Sequence, residues 1–219
     1  MERKRIVHTL DTPYSAAEWP DISQENQDVI LELLCHLLAP LGTYRRSFIT
    51  PSKGKRKRLP EKSSERTPKP PVPELTAFVD VGLAKITRTL QDAAGSPSCP
   101  YSVVLVARSG QSPAFNCLFP QMVSVASQGH APEAAVRLVG FSKPCAERLS
   151  EALGIPRASS IALREDAPQA KGLVDFVRQH VPLVEVAWLK EVAAAKFLET
   201  KIDAVPTKVG NTKKKPKTR

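Results

Sequence analysis

From residue 74 onward, apolar runs and amphipathic stretches alternate along the chain. SVVLVA, Ser102 to Ala107, is nearly continuous in apolar residues, the pattern of a strand covered on both faces. VRLVGF and SSIAL read the same way, and TAFVDV predicts a shorter strand ahead of them. Between the runs the period changes. GLAKITRTLQDAA puts Leu83, Ile86, Leu90 and Ala94 on one side and Lys85, Arg88 and Asp92 on the other, which predicts a helix. Ser112-Pro113 opens a further helix, which Pro120 is expected to interrupt before it resumes through Gln128. SKPCAERLSEAL begins at a cap, Ser142, and stops at Gly154. PQAKGLVDFVRQHV gathers Leu173, Val174 and Val177 on one face, and WLKEVAAAKFLETKI predicts a last helix. Alternation of this kind implies an α/β fold: a three-layer α/β/α sandwich around a central mixed, largely parallel sheet.

Ahead of this body, DISQENQDVILELLCHLLA (21–39) carries Ile22, Val29, Ile30, Leu33, Leu34, Leu37 and Leu38 at helical spacing. Asp21 is the expected cap, and Pro40 and Gly42 are the expected end. So apolar a stripe needs cover, from the body or from a partner. IVHTL, nearer the N-terminus, predicts a short strand. Residues 43–73 are rich in proline, serine and charge, which predicts a disordered basic linker. The pattern therefore divides the chain into an N-terminal strand and helix (1–42), the linker (43–73), the α/β body (74–205) and a disordered basic tail (206–219).

Charge sharpens this division. The chain carries 32 Lys and Arg against 22 Asp and Glu, a net +10. Residues 1–42 hold three basic and seven acidic groups; residues 43–73 hold ten and two; the body holds thirteen of each; the tail holds six basic groups and no acid. The positive excess belongs to linker and tail, and the body is neutral. A neutral body argues against a broad phosphate-gripping face. Within the linker, Lys53, Lys55, Arg56, Lys57 and Arg58 cluster beside Pro60 in the manner of a nuclear-localisation signal, which predicts a nuclear location; the competing reading is a solvated charge run. No apolar run is long enough for a membrane span, and the N-terminus lacks the apolar core of a secretory signal.

Catalytic chemistry finds no foothold. The chain has no glycine-rich nucleotide loop, no HExxH and no GxSxG. The four cysteines, Cys35, Cys99, Cys117 and Cys145, show neither CxxC pairing nor a histidine at metal-ligand spacing, so neither a metal nor a cofactor is expected. Two glycine-marked loops remain. Gly82 frees the backbone before a helix whose first N–H groups can face a phosphate, and Lys85 and Arg88 share the adjoining helix face. GIPRASS offers Arg157 between rigid Pro156 and small Ala158, a loop that admits close approach of an unstacked base. Composition alone equally allows Gly82 and Gly154 to be simple helix-boundary glycines.

ARSGQSPAFNCLFPQM and ALGIPRASSIAL resemble the superfamily of kink-turn-binding large-subunit ribosomal proteins, and HTLDTPYSAAEWP, DVILELLCHLLAPLG, VGLAKITRTL, RLVGF and VAWL, in chain order, narrow the resemblance. Within it the chain is most similar to the family of fungal third Pop (processing-of-precursors) subunits of ribonuclease P and ribonuclease MRP. The resemblance covers most of the chain apart from linker and tail. It implies an α/β/α sandwich inside a ribonucleoprotein whose RNA does the cleaving, acting in transfer-RNA 5′-end maturation and ribosomal-RNA precursor processing. It further implies a nuclear, nucleolar location and, as partners, the RNA of both enzymes and their other protein subunits. Gly82, Leu83, Ala84, Lys85 and Arg88, with Pro156, Arg157 and Ala158, are then the RNA-binding residues. The superfamily's loop reads Gly-x-Asn-Glu, whereas here Ala84 and Lys85 replace the carboxamide and the carboxylate. Backbone, Lys85, Arg88 and the proline loop are left to do the docking. The competing reading is a protein–protein scaffold with little direct RNA contact. An enzyme with a small-molecule pocket is the third and weakest, since no acid, base or nucleophile can be named.

Overall fold

The computed structural model describes residues 4–11, 18–49, 70–96, 98–108, 113–186, 188–189, 194 and 199–208, which form two compact units. The described residues of the larger unit, residues 17–186, form four strands, five α-helices and a short 3-10 helix at Glu74–Ala77. In chain order the strands and α-helices are α1 (Gln24–Phe48), β2 (Val79–Val81), α2 (Leu83–Ala93), β3 (Tyr101–Ala107), α3 (Pro113–Ala126), β4 (Arg137–Phe141), α4 (Lys143–Leu153), β5 (Ser160–Arg164) and α5 (Lys171–His180). The smaller unit brings together β1 (Lys4–Asp11) and β6 (Lys201–Lys208), an antiparallel ribbon in register from Lys4 opposite Lys208 to Asp11 opposite Lys201.

The sheet of the larger unit has the order β2-β5-β3-β4. It is mixed, as expected, but not largely parallel: β3 and β4 run parallel, while β5 is antiparallel to both its neighbours. The reason lies at one end of the sheet. The Ala107 N–H at the finish of β3 donates to the Ser159 carbonyl at 2.9 Å, just before β5 begins. A strand that starts where its neighbours end must run the other way.

Every residue of β3 is buried, as the apolar run SVVLVA demands. Val103, Leu105, Val139, Phe141, Ile161 and Leu163 project into one core together with α1, α4 and α5. Val104, Val106, Leu138 and Ala162, of the opposite parity, are buried as well, as are Ile86, Leu90, Phe119 and Val123 on α2 and α3. Each large aliphatic side chain enclosed in this way contributes roughly 1.5–3 kcal/mol before entropy is charged against it.

The helix α1 lies on its own domain, with Ile30, Leu31, Leu34, Leu38 and Leu41 in the core. Its cap is Ser23, not Asp21: the Ser23 side chain accepts from the Asn26 N–H. Nor does α1 end at Pro40. It continues to Phe48 and so takes the first residues of the segment expected to be linker. Proline here frees only the His36 carbonyl, and both Pro40 and His36 are exposed, so water can satisfy the loss. Gly42, expected to terminate the helix, is instead where α1 presses on α4. A Cβ there would stand 2.0 Å from the Ala152 carbonyl oxygen. Arg45 and Arg46, in the last turn of α1, donate to the Leu153 and Glu151 carbonyls at 3.2 and 2.7 Å. They fill acceptors that the end of α4 would otherwise leave open.

Pro120 likewise fails to interrupt α3, which runs unbroken to Ala126. Two further expectations change near the C-terminus. Lys201 and Ile202 belong to strand β6, not to a last helix, and β6 extends to Lys208, into the expected tail. The basic cluster at 53–58 lies outside the described residues, as does most of 187–198.

Candidate RNA-facing site

Gly82 caps α2 with φ 102° and ψ 142°, a conformation that side-chain-bearing residues rarely adopt. Nothing lies within 4 Å of the position a Cβ would take, so glycine is required by the backbone and not by space. The open ground above it leaves the first turn of α2 accessible. A glycine cap offers no side-chain acceptor, and the Leu83, Ala84 and Lys85 N–H groups have no acceptor among the described residues. Leu83 is half-buried; Ala84, Lys85 and Arg88 are exposed.

The second loop follows α4. Gly154 adopts the left-handed conformation, its N–H reaching Glu151, and the Ile155 N–H reaches the Ser150 carbonyl at 3.0 Å. Those two bonds close a Schellman end, the reason a glycine stands there. Ser150 then pins the loop: its hydroxyl donates to the Ala146 carbonyl at 2.7 Å and accepts from the Ala158 N–H at 2.8 Å. Ala158 is only 2% exposed and packs in the core. Expected as a contact residue, it positions the loop and cannot itself face a ligand. Pro156 and Arg157 are exposed.

The two loops meet. Val81 is paired with Ile161, and the Gly82 N–H donates to the Ser160 carbonyl at 3.0 Å. Arg157, three residues before Ser160, therefore lies at the same end of the sheet as the first turn of α2. Elements distant in sequence are joined here by the antiparallel direction of β5.

Beneath this end sits a charged cluster that sequence reasoning missed. Asp80 on β2 is 2% exposed. It forms an ion pair with Lys85 of α2 and accepts from Tyr101 of β3 at 2.7 Å and from Arg164 of β5 at 3.0 Å. Burial by itself raises the Asp80 carboxyl, but the hydrogen bonds from Lys85, Tyr101 and Arg164 outweigh it and hold the group below the usual carboxylate range. The Tyr101 phenol is driven up, first by burial; a hydrogen bond with Thr89 opposes this, and the Asp80 carboxylate adds to the rise. A carboxylate so fully bonded is a clamp between sheet and helix and is poorly placed to take a proton from a substrate. Lys85, read in the sequence as a phosphate contact, thus has a structural duty as well. The one cue in the sequence is an aspartate inside an apolar strand, VDV.

Among the described residues no group of three or more His, Cys, Asp or Glu is placed to hold a metal ion, and no helix is long and apolar enough to cross a membrane. The fold and site together define an α/β domain that presents two loops side by side at one end of a mixed sheet. The family model for "RNase P subunit Pop3" matches residues 65–191, more than half of the 219. The chain belongs to this family, and as such is a subunit of the ribonuclease P and ribonuclease MRP ribonucleoproteins. No curated protein matches it.

Proposed function

We propose that the chain is a non-catalytic, RNA-binding subunit of ribonuclease P and ribonuclease MRP that docks their RNA on the paired loops at Gly82–Arg88 and Pro156–Arg157. In that role it serves transfer-RNA 5′-end maturation and ribosomal-RNA precursor processing, in the nucleus and its nucleolus. The observation that supports the reading is the bond from the Gly82 N–H to Ser160, which joins the start of α2 to the loop that carries the exposed Arg157. Unoccupied N–H donors at a helix start suit a phosphate, and the exposed Arg88 guanidinium adds charge one turn away. With alanine at 84 and Lys85 tied to Asp80, the contact is to backbone and shape more than to base edges.

A scaffold with little direct RNA contact is the second reading, favoured by the same Lys85–Asp80 pair and by the neutral body. Charge reversal at both Arg88 and Arg157 separates the two. Lys85 is left alone because reversing it would break the clamp. On the RNA-binding reading, filter binding of the full chain to the RNA component of ribonuclease P weakens roughly tenfold or more while the thermal midpoint holds. Unchanged RNA binding by a folded double variant would hand the site to the scaffold reading.

A further inference from the structure

At the far end of the sheet from Gly82, two arginines share an open cleft of about 690 Å³. Arg137 is the first residue of β4, opposite Val103 near the start of β3, and is 8% exposed. Arg178 stands in the last turn of α5. The cleft is lined by these two and by His180, Pro182, Leu183 and Glu185, among others. Neither guanidinium has an ion-pair partner among the described residues. The Nε atoms of both are enclosed without an acceptor. Of the roughly ten N–H donors the pair carries, one is used in a hydrogen bond among the described residues, from Arg137 Nη2 to the Pro132 carbonyl at 3.3 Å.

This arrangement is costly for the isolated chain. Enclosing a cation without a counter-ion is expensive, and placing a second cation beside it adds repulsion. The effect is visible on Arg137: burial lowers its proton affinity, the charge of Arg178 lowers it further, and Glu133 opposes only in part. A missing anion resolves all three observations at once. We propose that the cleft is a second binding site, which takes a carboxylate side chain of a protein partner flanked by apolar residues.

The chemistry favours a carboxylate on a peptide over an RNA phosphate. Both cations are arginines, whose planar forks match a carboxylate bidentately. Pro182 and Leu183 line the cleft with apolar surface suited to flanking side chains, and Glu185 in the lining disfavours a polyanionic backbone. Arg137 is too enclosed for the exposed, salt-sensitive row of contacts a nucleic-acid backbone makes. The site is independent of the proposed RNA-facing loops, since it lies where β3 and β4 begin and those loops lie where the strands finish.

The test uses the full chain labelled with ¹⁵N, following the arginine Nε–Hε resonances. The probes are acetyl-Leu-Asp-Leu-amide, its Asn counterpart and an oligouridylate. The Asp peptide should shift the Arg137 and Arg178 resonances saturably, and the Asn peptide should not. Arg178→Gln should weaken the Asp peptide by roughly ten- to a hundredfold with an unchanged melting curve. Arg178→Lys, which keeps charge but loses the fork, should fall between the two. Arg178 is chosen because it is only half-buried, so its replacement leaves the core intact. The proposal is overturned if the Asp peptide leaves both resonances unmoved, if the Asn peptide binds equally well, or if Arg178→Gln binds like the parent. It is overturned equally if the oligouridylate displaces the peptide, which would reassign the cleft to phosphate. None of these outcomes touches the Gly82–Arg157 reading.

Discussion

The indole N–H of Trp19 donates to the carbonyl of Asn116 at 2.9 Å. That carbonyl is the one Pro120 releases, since a proline four residues on has no N–H to offer it. Trp19 thereby lets α3 run straight through a residue that should break it. The same ring takes Arg108 over its face at 4.9 Å, lies 6.3 Å from Phe119, and packs so closely on β4 that a Cβ at Gly140 would sit 3.0 Å from it.

Trp19→Phe keeps an aromatic ring but removes the donor. The Asn116 carbonyl is then left part-buried without its partner, a loss of about 2 kcal/mol. Thermal unfolding followed by circular dichroism should report it as a lowered midpoint. Pro120→Ala in the same background restores the helical N–H and should recover most of the loss. Additive behaviour of the two substitutions would show that indole and proline are not coupled in this way.

Asp80 should make stability depend on acid. Its carboxyl is held below the usual range in the folded chain, and an unfolded aspartate titrates near about 3.9. The stabilisation is therefore complete above about pH 4 and drains away as pH falls from there through the folded value. Asp80→Asn removes that acid-dependent part and costs roughly 2–4 kcal/mol at neutral pH, because Lys85 and Arg164 lose their shared acceptor. Both cations are partly exposed and can rehydrate, which keeps the cost at the lower end. Urea midpoints of parent and variant should converge as pH drops below 4; a constant gap would rule out the clamp.

How far the sequence reached follows from where each signal resides. The apolar run at Ser102 to Ala107 and the stripes of α2, α4 and α5 are local, so periodicity found them. Pro40 and Pro120 misled because nothing local shows how their penalty is met: by solvent exposure at His36, and by the Trp19 indole at Asn116. Alternation of helix and strand could not reveal the direction of β5, which is set by where its connection delivers the chain. The strand β6 has its partner 190 residues away, and its side chains are almost all exposed, so no burial pattern announces it. The two candidate loops were legible from Gly82 and Gly154. Asp80 was not, because Tyr101 and Arg164 reach it across 21 and 84 residues.

Gly42 is where α1 and α4 touch backbone to backbone. A methyl group there meets the Ala152 carbonyl oxygen at 2.0 Å and the Gly154 nitrogen at 3.2 Å, neither of which is the yielding end of a side chain. Gly42→Ala should therefore destabilise by about 2–4 kcal/mol, although alanine is by itself the better helix former by about 1 kcal/mol. Differential scanning calorimetry decides the sign. A raised midpoint would mean that propensity wins and the helices are not in such close contact.

Salt dependence should separate the two ways the chain can meet RNA. The body from 74 to 205 carries thirteen charges of each sign, while the linker cluster from Lys53 to Arg58 has five basic groups and residues 206–219 have six. Counter-ion release scales with the phosphates neutralised, about 0.9 in the slope of log K against log salt for each contact on a duplex. Replacing the Lys and Arg of cluster and tail by Gln should thus flatten that slope by several, whereas Arg88→Glu with Arg157→Glu should mainly lower affinity at every salt concentration. The division follows from geometry and charge together: helix N–H groups at Gly82 carry dipole and no counter-ion, and two arginines cannot supply a slope that eleven basic residues can. If the slope survives replacement of all eleven, the phosphates are being read by the body, and the neutral α/β domain would have to bind RNA without the help of its own positive ends.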